Sequence, residues 1–152
     1  MGQYNLPPDI AKYIAGLGSR LASVERILPG VHQPLVLSSP WENYGGGNYT
    51  AHYSIDATGF VRVTGLVRLP GATKYAYNGA NATVATLPEP FRPAGTVYFS
   101  QFTNTGVVKL LVSVNVNAEG RILIGEGASE TANEGLCAYL TLAGIGFYAG
   151  FG

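Results

Sequence analysis

The residues in this chain that could do chemistry are few, and their spacing does not set up a reaction. Histidine occurs only at His32 and His52. Acid–base or nucleophilic catalysis needs positioned partners, and neither histidine has them at a recognisable spacing. No His-x-x-x-His, Cys-x-x-Cys or clustered acidic motif points to a metal. Cys137, between Leu136 and Tyr139, reads as a small buried hydrophobe. Glu126, Glu130 and Glu134 share a Gly/Ala/Ser-rich stretch. They could chelate a cation or act as paired carboxylates in glycoside hydrolysis, but no motif constrains them and a solvated loop is the simpler reading. Gly45-Gly46-Gly47 is followed by Asn48-Tyr49 rather than by Lys-Ser/Thr and a helix, so it is no phosphate loop. The expectation is a protein that is not an enzyme and uses no cofactor or metal.

Aromatic side chains are the remaining candidates: ten tyrosines, six phenylalanines and Trp41. Tyr75-Ala-Tyr77-Asn78-Gly79 places alternate tyrosines beside an amide, an arrangement that can stack on sugar rings and bond their hydroxyls. Trp41 and Tyr44 precede the glycine run in a loop. Tyr75, Tyr77, Asn78, Trp41 and Tyr44 are therefore the candidate saccharide contacts. Covering an interface or anchoring a loop would use the same residue types.

The elements that must position them are strands. From about Tyr49 the hydrophobic period is two: Ala51, Tyr53 and Ile55 alternate with His52 and Ser54. Asp56-Ala-Thr-Gly59 reads as a turn with glycine where φ is positive. Phe60 to Leu69 then alternates, with Val61, Val63, Val67 and Leu69 set against Arg62, Thr64 and Arg68. The device recurs 61 residues later, where Asn117-Ala-Glu-Gly120 separates Leu110–Val116 from Arg121–Ile124. Thr83–Leu87, a turn at Pro88-Glu-Pro90, Thr96–Phe102, Leu136–Leu142 and Gly146–Phe151 complete about eight strands, a number that suits a two-sheet sandwich. The predicted body is an antiparallel β-sandwich, jelly-roll-like, over 49–152.

Ahead of it, Ile10, Ile14, Leu17, Leu21, Val24 and Leu28 are spaced 4, 3, 4, 3 and 4 residues apart, an unbroken heptad seam. Pro7, Pro8 and Asp9 start this helix and Pro29-Gly30 stops it, at a length of about 30 Å. The apolar stripe is narrower than a helix packed on its own domain needs. With leucine at most a positions and mixed branching at d, it leans to three or four strands, and Arg20 at g can meet Glu25 at the next e of a parallel neighbour. Residues 1–30 are therefore expected to form a parallel trimeric coiled coil, followed by an extended linker and loop over 31–48.

The bounds agree. At 152 residues the chain suits one domain with an appendage, and 47% hydrophobic residues exclude disorder. Nine basic and nine acidic residues leave no electrostatic footprint for nucleic acid or anionic lipid. Charged residues make up 12%, against about 25% in ordinary usage, which implies that another chain covers part of the surface. No signal peptide is readable at the start. The uncharged stretch Gly135–Gly152 contains four glycines after position 143 and fits strands better than a membrane helix.

Together these features resemble a known group. Leu6-Pro-Pro-Asp-Ile10 leading a heptad helix is similar to the start of many minor tail proteins of phages infecting actinobacteria. The body resembles the head domain at the ends of phage tail-tip and baseplate appendages. Tyr53, Gly59-Phe-Val-Arg-Val-Thr-Gly65, Leu87-Pro88, Phe91-Arg92-Pro93, Gly120-Arg-Ile-Leu-Ile124 and Leu140-Thr-Leu-Ala-Gly-Ile-Gly-Phe147 carry the likeness. It implies a homotrimeric virion protein, docked by its helical end on other phage tail or capsid proteins and engaging host-surface glycan through its head. A trimer used purely structurally, as a decoration or connector, is the alternative. A signalling module and a glycan depolymerase fit less well, the first for want of a signal peptide and disulfides, the second for want of paired carboxylates.

Overall fold

The computed structural model of the chain describes residues 31–71, 74–76, 82–104, 109–127, 134–136 and 138–150. The helix expected over residues 9–28, with its seam Ile10, Ile14, Leu17, Leu21, Val24 and Leu28, lies outside them. The described residues are mainly β, with one short 3₁₀ turn at Glu89–Phe91. Every strand pairing is antiparallel.

The strands are β1 (Gln33–Pro34), β2 (Glu42–Asn43), β3 (His52–Ile55), β4 (Phe60–Thr64), β5 (Leu66–Arg68), β6 (Lys74–Ala76), β7 (Thr83–Thr86), β8 (Val97–Asn104), β9 (Lys109–Val116), β10 (Arg121–Gly127), β11 (Glu134–Leu136), β12 (Tyr139–Thr141) and β13 (Ile145–Tyr148). One sheet runs β1-β3-β4-β13 and a second runs β2-β5-β12-β8-β9-β10-β7, while β6 and β11 pair by themselves.

The period-two pattern places the core between the two large sheets. Tyr53, Ile55, Val61, Val63 and Ile145 point inward from the first; Val67, Val84, Val112, Val114, Val116, Ile122, Ile124 and Leu140 point inward from the second. Each fully buried aliphatic side chain contributes about 1.5–3 kcal/mol through the water it leaves.

The two hairpins read from the sequence are present and share their chemistry. Gly59 (φ 84°) and Gly120 (φ 78°) take the left-handed position. Asp56 Oδ1 accepts from the Phe60 N–H at 3.1 Å, and Asn117 Oδ1 accepts from the Arg121 N–H at 2.8 Å. A short acceptor side chain at the first turn position thus holds the first residue of the returning strand in both.

Gly65 divides the run Phe60–Leu69 between the sheets. It takes φ 129°, and a Cβ there would lie 2.5 Å from Ala51 Cα. The chain crosses at this point, β4 staying in the first sheet and β5 joining the second. Its antiparallel companion crosses beside it: Leu140 pairs with Val67, the Leu142 N–H donates to the Gly65 carbonyl (2.9 Å), and Ile145 pairs with Val63.

The second sheet is strongly curled. Leu37 bridges Ala85 beside β7 at one edge, while Glu42 pairs with Arg68 from the opposite edge. Five residues span at most about 18 Å, whereas those edges in a flat sheet would stand about 29 Å apart. The segment over 31–48 is thus more than a linker: β1 and β2 pair with β3 and β5, so that edge backbone groups are satisfied by the sheets.

Candidate functional site

Outward-facing side chains at the β2 edge of the second sheet form a cluster of aromatic and charged groups. Glu42 lies directly across from Arg68, and Arg68 Nε donates to Glu42 Oε1 at 2.7 Å. Both side chains are 44% exposed, so the pair contributes little to stability, about 0–1 kcal/mol. The Arg68 guanidinium carbon stands 5.7 Å from the centre of the Tyr44 ring, close enough for attraction to the ring face. Tyr139 of β12 meets Tyr44 edge to face, the ring centres 6.1 Å apart at 88°. Tyr44 is held by its N–H, which donates to the Leu66 carbonyl at 2.9 Å.

The loop beyond Tyr44 is shaped by Gly45, Gly46 and Gly47, at φ 76°, 62° and 80°. Asn48 Nδ2 closes it on the Gly45 carbonyl at 2.8 Å. Asn43 Oδ1 accepts from the Ala51 N–H at 2.7 Å and ties the loop to the start of β3. The tip of the loop is exposed. Two tyrosine rings with a forked cation and a carboxylate can present an apolar face and directional hydrogen bonds to a flat polar molecule, the requirement of a sugar contact.

Two further aromatic groups face outward from the first sheet. His32 and His52 meet edge to face at 4.7 Å, with Tyr49 6.4 Å from His52. His52 Nδ1 lies 2.9 Å from the Thr50 carbonyl; since a carbonyl only accepts, Nδ1 carries the proton. Phe60 and Tyr148 meet at 5.1 Å, with the Arg62 guanidinium 5.6 Å from the Phe60 ring centre. Gly146 leaves room for that ring, since a Cβ there would come 2.8 Å from Phe60 Cε1 and Cζ.

Among the described residues proposed from the sequence, Tyr44 falls in this cluster. Trp41 is a core residue, 4% exposed, and this corrects its reading as a surface contact. A turn in which the Trp41 N–H donates to the Ser38 carbonyl at 2.8 Å brings its ring inward, where a large apolar side chain is best placed. Tyr75 lies on β6, paired with Gly135 of β11, in a different sheet from β2, the strand that Tyr44 follows. Tyr77 and Asn78 lie outside the described residues. Glu126 belongs to β10 and Glu134 to β11, so the stretch read as one loop is partly strand.

Sequence reasoning missed Glu42, Arg68 and Tyr139. A signal existed in part, since Arg68 sits at an outward position of an alternating strand; its pairing with β2 has no local trace. Among the described residues no group of three or more His, Cys, Asp or Glu could hold a metal ion. Among them, no helix is long and apolar enough to cross a membrane.

The fold and the site define an antiparallel, mainly-β chain with two packed sheets and an aromatic, charged surface cluster at a sheet edge. No protein-family model matches the chain, and no curated protein matches its sequence. Among solved structures, the receptor binding protein (gp15) of Listeria phage PSA is similar, with a TM-score of 0.56 and 16% identity. The similarity covers 97% of this chain and 82% of that one. At that identity the likeness is one of fold.

Proposed function

We propose that this chain is a virion protein of a bacteriophage, a homotrimeric tail appendage that engages host-surface saccharide without catalysing a reaction. The observation that carries the reading is the fold shared with a phage receptor binding protein across nearly the whole chain. The heptad seam from Ile10 to Leu28 supports a parallel coiled-coil stalk, with the jelly-roll-like β body as its head. Its partners are two further copies and other tail or capsid proteins.

The saccharide contact falls to Tyr44, Arg68, Glu42 and Tyr139, with Tyr75, Tyr77 and Asn78 as the second candidate set. Weak single sites suffice, because three heads on one stalk bind a repetitive glycan together.

One observation favours the purely structural alternative, a connector or decoration without ligand. Arg68 already has Glu42 and the Tyr44 ring as partners, so the cluster is satisfied without a guest.

The test is retention of the purified full chain on host envelopes and on a glycan array. Saturable binding, weakened about tenfold or more by Tyr44→Ala or Arg68→Ala, a loss of about 1.4 kcal/mol or more, supports recognition. Absence of binding to host envelopes supports the structural alternative. Reducing-sugar release from host polysaccharide would instead make the protein a depolymerase.

A further inference from the structure

The outward face of β8 and β9 carries several exposed large hydrophobic side chains. The pairing register sets Tyr98 opposite Asn115, Ser100 opposite Ser113 and Phe102 opposite Leu111. Tyr98, Phe102 and Leu111 are 72%, 60% and 50% exposed. Leu123 of β10 continues the first of these rows, across from Asn115. Gly125 keeps the face low beside Ser113, since a Cβ there would lie 3.2 Å from the Ser113 carbonyl oxygen. These central rows carry no charge; Lys109 and Arg121 stand at strand ends. Exposed apolar side chains amid small polar ones, with cations at the margin, have the make-up of an interface core and its rim.

We propose that this face is where copies of the chain pack against one another beyond the stalk. The inference rests on the assembly part of the function proposed above and is independent of its saccharide part. Two features select a second copy as the occupant. Residues 1–30 precede β1 in the sequence and carry the heptad seam, and the stalk proposed for that seam would hold copies in parallel at an effective concentration of about the millimolar range. A face that meets its own kind about a symmetry axis also brings identical charges together, and an uncharged centre avoids that repulsion.

The test uses the full chain, with light scattering after size exclusion over a dilution series. Phe102→Glu and Leu111→Glu each place a carboxylate on the face, and Tyr148→Glu does so on the outward side of the other sheet. A Ser100→Cys variant in a Cys137→Ser background reports access to the face through its rate of maleimide labelling. The expected result is an oligomer whose dissociation shifts to at least tenfold higher concentration in Phe102→Glu and Leu111→Glu but not in Tyr148→Glu. Labelling should be at least tenfold slower in the oligomer than after dilution. An oligomer with unchanged dissociation in both face variants and freely labelled Ser100→Cys overturns the inference and leaves the assembly intact. A wild-type chain that is monomeric at every concentration overturns both. In such a monomer, slow labelling would show a segment of the same chain on the face.

Discussion

The Arg92 side chain lies across Gly120, so close that a Cβ added at Gly120 would fall 2.7 Å from Arg92 Cγ and 2.7 Å from the Leu87 carbonyl oxygen. From there Arg92 Nε donates to that same carbonyl at 3.0 Å. The Arg92 carbonyl in turn accepts from the Gly150 N–H at 2.7 Å. One residue thereby ties the segment after β7, the β9–β10 turn and the segment after β13.

Gly120→Ala meets both this close approach and a positive φ. The backbone strain alone costs about 1–3 kcal/mol, and the displaced arginine adds to it. Thermal unfolding of Gly120→Ala should show a clearly lowered Tm. An unchanged Tm would mean that the turn relaxes freely and Arg92 is no staple.

Buried polar groups on β8 hold β12 and the turn that follows it. Thr103, 3% exposed, donates through Oγ1 to the Tyr139 carbonyl at 2.9 Å. With its amide oriented to satisfy both ends, Gln101 donates to the Ala143 and Thr141 carbonyls at 2.9 and 3.1 Å. Thr103→Val keeps the shape and leaves the Tyr139 carbonyl short of a donor, at a cost of about 1–3 kcal/mol. Urea denaturation should show a lower midpoint with an unchanged m-value.

Asp56 gives the protein a dependence on acid. The Thr58 hydroxyl, then the Phe60 N–H, hold its carboxyl below the usual range, with the Thr58 N–H and Arg62 adding to the effect. A carboxyl with a depressed folded pKa stabilises above its unfolded pKa, about 3.9, and that share is lost as pH falls through the folded value. Asp56→Asn should therefore be less stable than wild type at neutral pH, with the gap closing below about pH 4. A gap that stays constant from pH 7 to pH 2 would show that the charge is not what matters there.

Tyr53 does the converse at high pH. Burial pushes its hydroxyl above the ordinary value of 10.0, and its ring packs edge to face on Phe91 at 4.7 Å. The unfolded chain then loses this proton first, so stability falls as pH rises beyond about 10. Tyr53→Phe should unfold with a flatter pH profile between pH 9 and 11, followed by circular dichroism. A slope equal to that of the wild type would place the titration elsewhere.

Where alternation and turn chemistry act over neighbouring residues, they were legible in the chain. The inward set Ala51, Tyr53, Ile55, Val61, Val63, Val67 and Leu69 follows from a period of two, and both hairpins follow from Asp56, Gly59, Asn117 and Gly120. These signals are local, since side-chain direction and positive φ are properties of a few consecutive residues.

Which sheet each strand joins was settled only by tertiary structure. Phe60–Leu69 alternates without a break in its apolar pattern, yet Gly65 parts it between two sheets, because the contact that demands a glycine comes from Ala51. Trp41 and Tyr44 lie three residues apart in what reads as one loop. Trp41 enters the core while Tyr44 stays at the surface beside Arg68 and Tyr139. A sequence specifies which residues prefer to leave water; which of them can do so depends on how distant strands register, and that sum is closed only in the packed fold.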